Sequence, residues 1–167
     1  HFGIAGGVEH PQVTVERWTN SPLQHVSYVS CHDDHCLRDR LEEATKATEA
    51  ERLKMVKLAQ TAVYTSQGIP FIFAGEELYR HKQGVKNSYN KPDSINAIDW
   101  TYKTQYKDLV DYYAGLAAIR HAHPGFCLGD ADLVREKLEF IDVDDPCVVA
   151  FRINGLEGID SAKSLTV

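Results

Sequence analysis

Long apolar runs are missing from this chain: none approaches the roughly 20 residues that a bilayer-spanning helix needs, so nothing in the 167 residues calls for a membrane. The start, His1-Phe2-Gly3-Ile4, lacks the charged region and apolar core of a secretory signal. A basic excess is missing too. Lys and Arg number 18 against 24 Asp and Glu, a formal charge of -6, and the cations are scattered. No nucleic-acid partner is expected, because phosphate binding calls for clustered Lys and Arg. Four cysteines, Cys31, Cys36, Cys127 and Cys147, are too few and too irregular for a disulfide scaffold and leave the redox compartment open. No repeat or low-complexity tract is present. What is there is 43% hydrophobic and 25% charged, a globular balance with enough length for one ordinary core.

The texture changes twice along the chain. Residues 1–24 have no clear period and are punctuated by Gly3, Gly6, Gly7, Pro11 and Pro22, which predicts a loop wrapped over something larger. Thr48 and Glu51 form a capping box, and Leu53, Val56, Ala59, Ala62 and Val63 recur at helical spacing until Gly68-Ile69-Pro70 stops the helix. A second helix is predicted over 104–122, carrying Leu109, Tyr112, Tyr113, Leu116 and Ile119 and ended by His123-Pro124-Gly125. Short β segments follow at 138–143, 147–153 and 164–167, with Asp144-Asp145-Pro146 as a hairpin turn.

Chemistry is expected where buried strands run out. The apolar segment His25-Val26-Ser27-Tyr28-Val29-Ser30 leads into Cys31-His32-Asp33-Asp34-His35, and Gly68 to Ala74 leads into Gly75-Glu76-Glu77. With a helix between them the order is strand, helix, strand, so a parallel pairing is predicted. In folds built on parallel strands the carboxyl ends carry the active site, because the sheet aims side chains while the loops vary. Other readings compete. Cys31 to Cys36 contains every ligand type that zinc favours, but six consecutive residues cannot all turn inward. Glu76 is read as fastening structure rather than attacking substrate. Trp100 and Asp99 are read as a packing anchor and a helix cap, and His81, His121 and His123 as surface or loop-capping residues.

Three stretches together resemble one known family. Tyr28-Val29-Ser30-Cys31-His32-Asp33, the strand from Gly68 to Glu77, and the loop from Gln83 through Asn87-Ser88-Tyr89, Asp93 and Asn96 to Asp99-Trp100 are similar to the last part of type I pullulanases, debranching members of the alpha-amylase superfamily. The resemblance covers nearly the whole chain. It implies an α/β fold: the carboxyl-terminal part of a (β/α)8 barrel, strands seven and eight with their helices, in residues 1–126, followed by the first strands of a β-sandwich in residues 127–167. It implies a segment of a glycoside hydrolase of bacterial type that cleaves α-1,6-glucosidic links by a retaining double displacement, whose nucleophile and general acid come from strands four and five of the parent. The isolated segment is then expected to be inactive, with a non-catalytic glucan-binding unit as the alternative.

By the same resemblance, Asp33 stabilises the transition state, His32 hydrogen-bonds the same sugar, and Tyr89, Asp93 and Asn96 are substrate-binding residues. The implied partners are α-glucans, pullulan and branched dextrins, together with self-association or a complementary fragment of the parent. No cofactor or metal is called for, and a structural calcium in the parent is left open. The chain departs from the family pattern at Asp34, Cys36 and Arg38, where Asn, Thr and Trp are usual.

Overall fold

The computed structural model describes residues 1–167, which divide into two compact units, one of residues 1–27, 62–70 and 118–167 and the other of residues 28–61 and 71–117. The units interleave along the chain.

In the first unit, β1 (Val26–Ser27) pairs in parallel with β2 (Ile69–Pro70), in register Val26 with Ile69 and Ser27 with Pro70. The parallel pairing matches the expectation, but the ladder is far shorter than the apolar runs that contain it. Each strand has the other as its only partner, and regular pairing ends with that single neighbour. Gly68 is required by close approach. A Cβ there would lie 2.8 Å from the His25 carbonyl oxygen and 2.8 Å from Ser27 Oγ. Val26 and Ile69 remain about half exposed.

The carboxyl-terminal residues of the same unit form an antiparallel sheet in the order β3 (Leu138–Ile141), β4 (Ala150–Ile153), β5 (Leu165–Thr166). The expected turn at Asp144-Asp145-Pro146 lies between the first two strands. Leu138, Phe140, Phe151 and Ile153 project inward to a core with Phe126, Val134, Leu156, Ala5 and Val8. The amino-terminal segment thus does wrap over a larger body. Its polar residues finish the sheet edge: the Gln12 amide donates to Phe140 O at 2.8 Å and accepts from Phe140 N at 2.9 Å, and His10 Nε2 lies 2.9 Å from Leu138 O. A side chain thereby supplies the hydrogen bonds that a further strand would make.

Two of the helices that follow, over Glu49–Thr65 and Lys107–Ala122, each contain a boundary between the units. Helix α1 (Leu37–Ala44) precedes α2 (Glu49–Thr65). The capping box closes reciprocally, with Thr48 N donating to Glu51 Oε2 at 2.7 Å and Glu51 N to Thr48 Oγ1 at 3.3 Å. Thr45 ends α1 with an extended backbone, and both its N–H and its hydroxyl donate to Leu41 O, the hydroxyl at 2.8 Å. After the last turn of α2, Arg120 donates to the carbonyls of Tyr64, Ser66 and Gly68 at 2.6–2.8 Å, answering groups that a helix end leaves open.

The helix predicted from Thr104 is split into α4 (Tyr102–Gln105) and α5 (Lys107–Ala122), following the short α3 (Asp93–Asn96). Tyr106 has a non-helical backbone that interrupts the register. Leu109, Tyr113 and Leu116 of α5 are buried, while Ile119 is exposed. His123 ends α5 as a loop-capping residue, its Nδ1 2.9 Å from Asp160 Oδ1. A final helix, α6 (Ala131–Lys137), leads into β3, and Asp130 caps it through Asp132 N and Leu133 N.

Candidate functional site

Beyond β1 the chain enters the second unit through Tyr28, Val29 and Ser30. Tyr28 meets Phe71 edge to face at 6.0 Å. Ser30 Oγ donates to Glu76 Oε1, and Gln60 of α2 donates to Glu76 Oε2 at 3.1 Å. Glu76 is almost fully buried, and desolvation pushes its carboxyl up from 4.5 to about 7, against the hydrogen bonds that hold it down. This geometry is that of a fastening. An acid facing substrate would be open to it.

His32 and Asp33 stand at the opposite extreme. Their side chains are 78% and 77% exposed, with His32 Nε2 3.6 Å from Asp33 Oδ1, so both are free to meet a polar ligand. They rise beside an open concavity of about 350 Å³ that is lined by Tyr28, Ser30, Asp33, Asp34, His35 and Arg40.

The next residues hold this loop in place. Asp34 adopts a left-handed backbone, φ 61°, and its Oδ1 accepts from His35 N at 2.8 Å. Arg40 ties Asp34 to Glu43, at 3.3 Å and 2.9 Å. The His35-N bond comes first in holding the Asp34 carboxyl below its ordinary range, helped by Lys86 and Arg40. His35 is buried, with Nε2 3.1 Å from Gly84 O, which joins this loop to the one after Glu76.

Cys36 stands at the N-cap of α1, where its thiol donates to Asp39 Oδ2 at 3.0 Å and Arg80 O at 3.2 Å. Burial, reinforced by the bond to Asp39, pushes the thiol up to about 12. Together with the exposure of His32 and Asp33 and the engagement of His35, this leaves Cys31 to Cys36 without a convergent metal cluster. Arg38 packs its guanidinium over the Tyr79 ring, 4.5 Å from the centroid.

The loop after Glu76 carries the other three candidates. Tyr89 is 84% exposed, offering an open aromatic face. Asp93 opens α3 and is exposed. Asn96 is different: its Nδ2 donates to Ser88 O at 2.6 Å and Lys91 O at 2.9 Å, while Arg80 reaches its backbone carbonyl. Both amide hydrogens therefore hold the loop, and only the carbonyl oxygen remains for a ligand. Lys82 is buried beneath the same loop, Nζ donating to Ser88 Oγ at 2.8 Å, and its burial lowers the ammonium.

Sequence reasoning passed over Asp39 and Lys82, and read His81 as a surface or loop-capping residue where the structure sets its Nε2 3.0 Å from Asp39 Oδ1; a buried acid inside an amphipathic helix leaves no periodic signal. Asp99, expected as a helix cap, closes a local turn instead: its Oδ1 accepts from Thr101 N at 2.9 Å, while Thr101 is itself the N-cap of α4, a helix that no side chain caps. Trp100, expected as a packing anchor, is instead 66% exposed.

A parallel strand pair linked through a helix, with polar loops after each strand, defines a chain of the mixed α/β class. The relatives narrow the class. No family model matches the chain. It is 35% identical over 147 residues to the pullulanase of Bacillus subtilis strain 168, covering 87% of this chain and 20% of that protein. The crystal structure of the D350A mutant of Paenibacillus barengoltzii pullulanase complexed with maltotriose superposes with a TM-score of 0.93 at 41% identity, covering 98% of this chain and 25% of that one. The type I pullulanase of B. subtilis complexed with maltose gives a TM-score of 0.94 at 32% identity, over 99% and 23% of the two chains. The chain is a relative of the pullulanases, matched along nearly all its length by one segment of theirs, and it spans about a fifth of the curated B. subtilis protein.

Proposed function

We propose that this chain is the part of a pullulanase-type glycoside hydrolase that carries strands seven and eight of a (β/α)8 barrel, with their helices, in residues 1–126 and the first strands of a β-sandwich in residues 127–167. The reading is supported by the parallel pairing of β1 and β2 across a helix and by the antiparallel sheet that follows. The observation that carries it is the backbone agreement over 98% of the chain with a pullulanase complexed with maltotriose.

On this reading the substrate is an α-glucan with α-1,6 links, pullulan or a branched dextrin. A retaining glycosidase sets a nucleophile and a general acid about 5 to 5.5 Å apart across the scissile bond, and the parent supplies both from other strands. Asp33 adds a third carboxylate. Its exposed negative charge accepts hydrogen bonds from sugar hydroxyls and favours the oxocarbenium-like transition state, in which the ring gains positive character. His32 donates a hydrogen bond to the same sugar. Neither forms a covalent bond. Tyr89 offers a ring for the C–H face of a glucose unit, while Asp93 and the Asn96 carbonyl offer acceptors.

The test is Asp33→Asn in the full-length enzyme. The amide keeps the shape and loses the charge, so turnover on pullulan should fall by about two to three orders of magnitude with an unchanged fold by circular dichroism. A near-normal kcat would refute the role. Asp93→Ala should act differently. Loss of a subsite hydrogen bond should weaken long glucans more than short ones, read as kcat/KM against chain length. Asn96→Ala should lower thermal stability as well, because two loop carbonyls lose their donor.

A further inference from the structure

Asp39, Glu42 and His81 meet in the second unit, and no step proposed above uses them. Asp39 and Glu42 lie three residues apart on α1 and share a face, while His81 comes from the segment after Glu76. His81 Nε2 is 3.0 Å from Asp39 Oδ1 and 3.4 Å from Glu42 Oε2, and one ligand atom from each residue lies within 4.8 Å of the others. Ligands about 2.0 to 2.1 Å from a tetrahedral zinc ion stand roughly 3.3 Å apart.

Hydrogen bonding does not account for this arrangement. The Asp39 side chain is fully buried, yet its Oδ1 has no hydrogen-bond partner. Proximity to His81 does not cure this, since the ring N–H direction lines up with neither carboxylate oxygen despite the short distances. An imidazolium bridging two carboxylates would point at one of them.

The outer groups also fit a held ion. Asp39 Oδ2 accepts from Cys36 Sγ and, at 2.9 Å, from Lys82 N, which fixes the carboxylate plane. Arg38 Nε at 3.0 Å and Arg52 Nη2 at 3.7 Å both address Glu42 Oε1, leaving Oε2 for His81. Such bonds orient ligands around a metal. Glu42 and His81 are partly exposed, which leaves a way in and room for a water ligand.

We propose that Asp39, Glu42 and His81 bind a zinc-class divalent cation, which ties α1 to the segment that leads into the Tyr89 loop. Two carboxylates and an imidazole suit zinc, whereas calcium and magnesium require oxygen ligands in greater number.

The test uses the purified full chain, stripped with chelator and titrated with Zn²⁺ against a chromophoric competitor. One equivalent should bind, Co²⁺ should give the intense visible spectrum of a four-coordinate site, and millimolar Ca²⁺ should not compete. His81→Ala and Glu42→Gln should each weaken Zn²⁺ binding at least about tenfold, and His121→Ala should leave it unchanged. Asp39→Asn risks unfolding, so the decisive variants are the two partly exposed residues, with circular dichroism confirming their fold. Zn²⁺ should also raise the thermal midpoint of the wild type and not that of His81→Ala. Failure to bind Zn²⁺, or unaltered affinity in folded His81→Ala, would overturn the site.

Discussion

Glu76 and Asp33 are both acids that follow apolar runs, and their surroundings separate them. Burial between Ser30 and Gln60 raises Glu76 to about 7, while Asp33 stands in solvent. The raised value fixes a sign. Below the unfolded value of 4.5 both states are protonated and the fold is at full strength. As pH rises toward and through 7, the unfolded chain ionises freely and the folded one resists, so stability is lost. The loss is on the order of 3 kcal/mol at about 1.4 kcal/mol per unit. Glu76→Gln keeps an acceptor for Ser30 and a polar face for Gln60, and should flatten the dependence. Urea unfolding at pH 5 and pH 8 checks this: the wild type should be weaker at pH 8, with little difference for the variant. Equal wild-type stability at both would show that Glu76 is ionised in the fold without penalty.

At the level of elements, the sequence was most legible where local chemistry decides. The Thr48 and Glu51 box, the stop at Gly68, the parallel order of β1 and β2 and the hairpin at Asp144-Asp145-Pro146 all follow from short-range rules. Helix α6 was legible and passed over, since Asp130 is a good cap and Arg135 and Lys137 suit its last turn. What sequence could not carry was the length of β1 and β2, which depends on neighbours rather than on apolar content, and the commitment of the Asn96 amide, which depends on where the Ser88 and Lys91 carbonyls fall. His32 and Asp33 were found as exposed groups after a strand, but their roles come from resemblance, because exposure alone names no ligand. Gly68→Ala tests the strand pairing. The added methyl would press on the His25 carbonyl and Ser27 Oγ, so the thermal midpoint should drop by the equivalent of about 1–3 kcal/mol. An unchanged midpoint would mean that the strands separate without loss.

For the molecule as a whole, the two-stranded β1–β2 ladder leaves unpaired edges, and Trp18, Tyr28, Ile69 and Phe71 are all substantially exposed. Uncovered edges and rings invite association. The isolated chain should sediment as an oligomer, or with a complementary part of its parent, and should release no reducing sugar from pullulan. A compact cooperative monomer would refute the first expectation, and sugar release by rigorously purified chain the second. The Gln12 amide, bonded to Phe140 from 128 residues away, has a consequence for biosynthesis. At roughly 5–20 residues per second on the ribosome, Gln12 and its neighbours Ala5 and Val8 wait roughly 6 to 26 seconds before Phe140 is even made. Through that interval Ala5, Val8 and Gln12 lack the Phe140 side of the core they share in the first unit, so that core cannot close before β3 has been made.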